Sequence, residues 1–279
     1  MINTSDKQGS EKTGPESHDT LHHPLITRTA GTGKDLVLLH GWGMNSAVFS
    51  EFIPLLETDY RITTIDLPGF GENNQCAGEP YSVAQLARQI QAVLPAQCVV
   101  AGWSLGGLVA QQLALLAPEQ ITGLITIAAS PCFVAGPGWP GIAPDLLAQF
   151  EQDLSKNYQK TLDRFLAIQA MGSDSARQDI KLIKEQVTRL PAPSTEALAS
   201  SLHLLSSEDL RDTIGRIHQP TLRLYGRLDS LVPTSAIDQI CQLHPESDAV
   251  VLSKASHAPF ISHPKQTADV IRQFMCTRQ

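Results

Sequence analysis

No apolar run in this chain approaches the roughly 18 residues that a membrane span needs. Basic charge is also short. The chain has 21 Lys and Arg against 28 Asp and Glu, for a formal net charge of -7. Neutralising a phosphate backbone takes clustered Lys and Arg, so nucleic acid is excluded as a general partner. The first residues, Met-Ile-Asn-Thr-Ser-Asp-Lys, lack the apolar core of a signal peptide. The cysteines, Cys76, Cys98, Cys132, Cys241 and Cys276, are odd in number and without close pairs. That excludes a disulfide framework and a zinc cluster, and points to reduced thiols in a cytoplasmic protein. Metal-ligand clusters, phosphate-cradling glycine loops and internal repeats are missing too. No cofactor and no metal are expected.

What is present is a chain of 279 residues, 42% hydrophobic and 18% charged. That suits one large α/β domain, or a core with an inserted subdomain. Residues 1–23 are polar and cannot bury a core, so they are expected to be a disordered extension. From residue 24 the pattern alternates. Strands are expected at 25–29 (an edge), 36–39, 60–65, 98–101 and 121–128. Helices are expected over 48–56, after Ser82, and over 108–116. The rhythm breaks after 131, and from 132 to 215 only helical patterns occur, at about 144–154, 157–170, 174–190 and 194–205. It resumes with strands at 221–225 and 248–252 and helices at 233–243 and 264–275. The fold class read from this is α/β: a mostly parallel sheet over 24–131 and 216–279, flanked by helices, with a helical lid inserted at 132–215.

The chain is organised around Gly102-Trp103-Ser104-Leu105-Gly106. A strand-like run enters this Gly-x-Ser-x-Gly and a helix-like run leaves it. Gly near 7% of residues makes the motif a chance event in roughly one chain in ten, so its strand-to-helix setting is what gives it weight. Ser104 stands at the apex as a candidate nucleophile.

Functional residues of an open parallel sheet gather at the carboxyl ends of its strands. Those ends present His40-Gly41-Trp42-Gly43, Ser104, Asp229 and His257. A serine hydroxyl is a weak nucleophile at neutral pH. His257 would take its proton, and Asp229 would orient the imidazole. The backbone N–H groups of Trp42 and Leu105 would hold the oxyanion. The rivals have blander uses. His263 precedes Pro264 at a helix start, and His40 suits a structural hydrogen bond. His203, His218 and His244 lie away from strand ends. Asp66 opens a Pro-Gly turn, and Asp238 falls inside a helix.

These residues resemble the α/β-hydrolase superfamily, in which the nucleophile, acid and base follow the same chain order. More narrowly, the chain resembles the biotin-pathway carboxylesterases, the pimeloyl-[acyl-carrier-protein] methyl ester esterases. The stretches that carry this include LVLLHGWGMN at 36–45, DLPGFG at 66–71, GWSLGGLVA at 102–110, SPCF at 130–133 and WPGI at 139–142. RFLAIQ at 164–169, ARQD at 176–179, LRLYGRLDSLVP at 222–233 and ASHAPFISHP at 255–264 complete the set. The resemblance implies hydrolysis of a methyl ester on acyl carrier protein. It places Phe165, Leu166, Ala167, Ile168 and Gln169 beside the substrate. The alternative is another serine hydrolase acting on short-chain esters, thioesters, lactones or carbon–carbon bonds. A non-catalytic binding module is disfavoured, because every part of the catalytic set is present.

The insertion bears on the partner. Acidic and basic side chains are equal in number over 145–190, so the lid is neutral in an acidic protein. Lys160 and Arg164 share one helix face, and Arg177 and Lys181 share another. Acyl carrier proteins are acidic, so these four are the expected carrier contacts. Phe133, Trp139, Leu146, Phe150, Phe165, Leu166 and Met171 are candidates for an acyl tunnel. A monomer is expected.

Overall fold

The computed structural model describes residues 24–277, so the expected extension at 1–23 lies outside the described residues. Among them the strands are β1 (Thr27–Ala30), β2 (Lys34–Leu39), β3 (Tyr60–Ile65), β4 (Cys98–Trp103), β5 (Ile121–Ile127), β6 (Thr221–Gly226) and β7 (Asp248–Leu252). They form one sheet in the order β1-β3-β2-β4-β5-β6-β7. Only β1 runs antiparallel, against β3. The apolar run Leu36–Leu39 is no more than 1% exposed, as a strand covered on both faces must be.

The helices of the core are α1 (Val83–Gln91) and α2 (Leu105–Leu116). Four more, α3 (Pro144–Lys156), α4 (Tyr158–Gln169), α5 (Ala176–Val187) and α6 (Thr195–Ser207), lie between β5 and β6. The chain closes with α7 (Thr234–Leu243), the short α8 (Pro259–Ser262) and α9 (Pro264–Thr277). Their starts are written in the sequence. Ser82, Asn157 and Ser194 each accept a hydrogen bond from a first-turn N–H, and Pro144 opens α3. No described helix is long and apolar enough to cross a membrane.

The helix expected over 48–56 is instead two 3₁₀ turns, Ser46–Phe49 and Ile53–Leu55. Pro54 cannot donate to a helix ladder, and the Ser50 hydroxyl bonds back to Ala47 O at 2.7 Å. The insertion contains no named strand, only the isolated bridges Val134–Ile142 and Gly136–Trp139.

Two apolar clusters lie on the two faces of the sheet. One is centred on α1, α2 and β4, the other on Phe49, Phe52, Phe260 and Ile271. The inserted helices are fastened near the loops that follow β2 and β3. Trp42 Nε1 donates to Leu198 O at 3.0 Å, Asn45 Nδ2 to Val187 O at 2.8 Å, and Ser194 N to Gly69 O at 2.9 Å. The carboxyl ends of the strands therefore lie beneath a roof.

Candidate active site

β4 ends at Trp103 and α2 begins at Leu105, leaving Ser104 alone at the turn. Its φ of 54° and ψ of -118° are a strained pair for a residue with a side chain. The close approach of strand and helix explains the glycines. A Cβ on Gly102 would collide with the Gly106 carbonyl, and one on Gly106 would sit 2.5 Å from Leu39 O and His40 O. The turn is held from beneath by Ser104 N donating to Ile127 O at 2.9 Å.

The structure brings three strand ends to one point. Ser104 Oγ lies 2.9 Å from His257 Nε2. His257 Nδ1 lies 2.8 Å from Asp229 Oδ2. The other carboxylate oxygen of Asp229 accepts from Leu231 N at 2.8 Å and Val232 N at 3.0 Å. With Nδ1–H donating to the carboxylate, Nε2 is free to accept from the serine hydroxyl. That tautomer is assigned from the network. All three side chains are buried, and Ser104 is 1% exposed.

Of the two expected oxyanion donors, Leu105 directly follows Ser104, and Trp42 follows Gly41, on which an added Cβ would lie 3.2 Å from Ser104 Cβ. Leu105 is the first residue of α2, so its N–H is one that a helix leaves unpaired, at the positive end of the helix dipole. Trp42 opens the turn that Met44 N closes on Gly41 O, and neither N–H donates within the described residues. The Trp42 ring meets Phe165 edge-on, with ring centroids 4.7 Å apart.

The rivals are occupied elsewhere. His40 Nε2 accepts from Leu67 N at 2.9 Å and its Nδ1 donates to Gly41 O at 2.8 Å. Burial pushes its pKa down. Asp66 accepts from Ser46 N at 2.5 Å and Glu72 N at 2.8 Å, so it ties two loops together. His263 bonds Ser262 Oγ at 2.9 Å. His203 and Asp238 lie on exposed helix faces. His244 is buried 2.8 Å from Arg223. Burial, with the guanidinium beside it, lowers its pKa from 6.5 to about 4. The unfolded chain therefore takes this proton at a higher pH than the folded chain does. Unfolding free energy should fall as pH drops from about 6.5 to about 4, and urea melts of a His244→Gln variant should lose that part of the dependence.

The expected substrate residues of the insertion differ in where they lie. Phe165 is buried against Trp42 and 5.6 Å from the Phe150 ring. Gln169 is buried, and its carbonyl accepts from His257 N at 3.2 Å. Ile168 is half-buried, and Leu166 is buried within the cluster of Phe49 and Phe260. Ala167 is exposed, so this residue is not brought to the site. Successive helical residues turn by about 100°, so five in a row cannot face one cavity. Of the tunnel candidates, Met171 is 56% exposed. The Trp139 indole donates to Cys132 O at 2.9 Å and stacks under Arg211.

The four expected carrier contacts are all exposed. Arg164 reaches Asp153 at 3.1 Å and lies over the Phe150 ring, and Lys181 reaches Glu185 at 3.6 Å. Lys160 and Arg177 have no ion pair among the described residues. One contact at the site was missed by sequence reasoning. Trp103 Nε1 donates to the His257 carbonyl at 2.8 Å. The motif places Trp103 beside Ser104, but nothing in its spacing says where the indole points.

The profile of the α/β hydrolase fold family matches residues 35–264. A pimeloyl-[acyl-carrier protein] methyl ester esterase of Aeromonas hydrophila is 54% identical over 88% of this chain and 96% of its own. Its namesake from Klebsiella pneumoniae is 47% identical over 85% and 92%. Among solved structures, an esterase from Exiguobacterium antarcticum superposes with a TM-score of 0.80 at 23% identity, covering 90% of this chain and 94% of that one. An enol-lactonase from Burkholderia xenovorans gives 0.76 at 17%, covering 90% and 96%. At those identities the likeness is one of fold. The sequence relatives reach further, over nearly their whole length and through the insertion. The chain belongs to the α/β-hydrolase fold family and, within it, to the pimeloyl-[acyl-carrier protein] methyl ester esterases.

Proposed function

We propose that this chain is a cytoplasmic serine carboxylesterase, acting as a monomer, that hydrolyses the methyl ester of a pimeloyl group carried on acyl carrier protein. The products are methanol and the free carboxylate, still on its carrier, for biotin synthesis. Membership of the esterase family, at 54% identity over 88% of the chain, carries this reading.

The geometry supports the following chemistry. Ser104 Oγ attacks the ester carbonyl while His257 Nε2 takes its proton. Charge on the carbonyl oxygen is met by the N–H groups of Leu105 and Trp42. Losing one such donor typically costs about 10²–10³ in rate. Asp229 faces the imidazolium that forms. The tetrahedral adduct collapses, and methanol leaves with the proton from His257. A water, deprotonated by the same nitrogen, then attacks the acyl-enzyme and frees Ser104. The apolar pair of Trp42 and Phe165 suits the methylene chain of the acyl group.

Residues 132–215 act as the lid over a core of 24–131 and 216–279. Lys160, Arg164, Arg177 and Lys181 receive the acidic carrier. Replacing Arg164 and Arg177 together with Glu should lower kcat/KM on a carrier-bound ester by about tenfold or more, with a free methyl ester nearly unaffected. Because Arg164 already has Asp153, Arg177→Glu should account for most of that loss. Equal loss on both substrates would sink the docking role.

The test of the whole reading is complementation of a bacterium that lacks its pimeloyl-ester esterase. Expression of this chain should restore growth without biotin. A folded, expressed protein that fails to rescue would assign the same chemistry to a different ester.

A further inference from the structure

Ser104 and His257 are no more than 1% exposed. The end of α4 bears directly on how His257 is held. A helix leaves its last four carbonyls without intrahelical partners. Two of those in α4 are reached from the triad loops, Gln169 O and Ile168 O, the second of which also accepts from Met171 N at 3.2 Å. Gln169 O accepts from His257 N at 3.2 Å and from Ser256 Oγ at 2.7 Å. Ile168 O accepts from Ser230 Oγ at 3.3 Å. Ser256 immediately precedes the base, and Ser230 immediately follows the acid. The buried Ser256 hydroxyl also lies 3.0 Å from Met171 O and 3.4 Å from Leu228 O. Three carbonyls thus lie within reach of its single proton, two on the insertion and one on the loop before Asp229. On the other side, the His257 carbonyl is held by Trp103 Nε1 at 2.8 Å.

We propose that Ser256, with Ser230 in a lesser part, is a positioning residue that fastens the end of lid helix α4 to the histidine loop, so that His257 meets Ser104 at reactive distance only while the lid is seated. The proposal rests on the triad reading and is independent of which ester is cleaved. The His257 backbone is clamped between the lid at its N–H and the elbow at its C=O. Moving α4 releases one jaw, and the imidazole follows its backbone. A shift of about 1 Å can cost as much as about 10²-fold in rate. Substrate admitted by an open lid is therefore not cleaved until the lid has reseated and both serines have recapped α4.

The experiment compares the parent with Ser256→Ala and Ser256→Thr on a short p-nitrophenyl ester. It also follows labelling of Ser104 by a fluorophosphonate and amide exchange over 166–172. Ser256→Ala should lower kcat and labelling rate by about three- to tenfold with KM little changed, and should speed exchange by about tenfold. Ser256→Thr, which keeps the donor, should recover most of both. A purely structural role would instead lower melting temperature without the kcat-specific loss or the rescue. A folded Ser256→Ala enzyme with parental kcat and exchange overturns the proposal, as does a Thr variant no better than Ala. If neither variant folds, Ser230→Ala at its exposed position decides by the same two readouts. A parent that the fluorophosphonate does not label at Ser104 refutes the triad itself, whereas equal labelling of parent and variants refutes only the positioning.

Discussion

Ser104→Ala is expected to lower hydrolysis of short p-nitrophenyl esters by at least about 10⁴-fold while leaving the melting temperature nearly unchanged. The separation of the two effects follows from the turn. Ser104 makes no side-chain cap to α2, and among the described residues its hydroxyl bonds only His257. Alanine keeps the Cβ, so the strain of a φ of 54° is neither relieved nor increased. The N–H that donates to Ile127 O is retained. What disappears is the hydroxyl proposed to attack the ester. Residual turnover would come from the oxyanion donors and from binding, which typically supply about 10³–10⁴ over water. Turnover near the parental rate would remove Ser104 from its role.

Asp229→Asn is expected to lower kcat by about 10⁴-fold, again in a folded protein. Here the neighbours determine the sign. One carboxylate oxygen is claimed by two backbone donors, Leu231 N and Val232 N. An amide has only one oxygen, and that pair of N–H groups will take it. The NH₂ is then left facing His257 Nδ1, which must accept. The proton moves to Nε2, where it points at Ser104 Oγ and blocks proton abstraction. A nitrogen-15 spectrum of the imidazole should show the changed tautomer. An Asp229→Asn enzyme with parental kcat and an unchanged tautomer would refute this account.

The site was legible in the sequence to different depths. Ser104, Asp229 and His257 could be named because parallel strands deliver their carboxyl ends to one edge, whatever the helices do. His40 and Asp66 also follow strands, and only their hydrogen bonds show that both are spent on loops. Insertion residues were harder to read. Phe165 to Gln169 were expected beside the substrate as a block, yet the helix turns Ala167 outward. Arg164 and Lys181 look as free as Lys160 and Arg177 in the sequence, but they have Asp153 and Glu185 as partners. The helix expected over 48–56 failed for a local reason, Pro54, whose weight against an apolar pattern is not settled by periodicity.

Local pattern by itself determined the nucleophile elbow, the alternation of strand and helix, the order of the triad and the place of the insertion. Each depends on backbone periodicity and on residues a few positions apart. Tertiary structure alone decided how the base is held. Trp103 reaches the His257 carbonyl across 154 positions, and Ser256 reaches Gln169 across 87. Neither bond leaves a periodic trace, because hydrogen bonds between distant segments are set by where the packed elements come to rest. The Gly-x-Ser-x-Gly stretch names the candidate nucleophile. The roof above it is assembled from contacts between residues far apart in the chain.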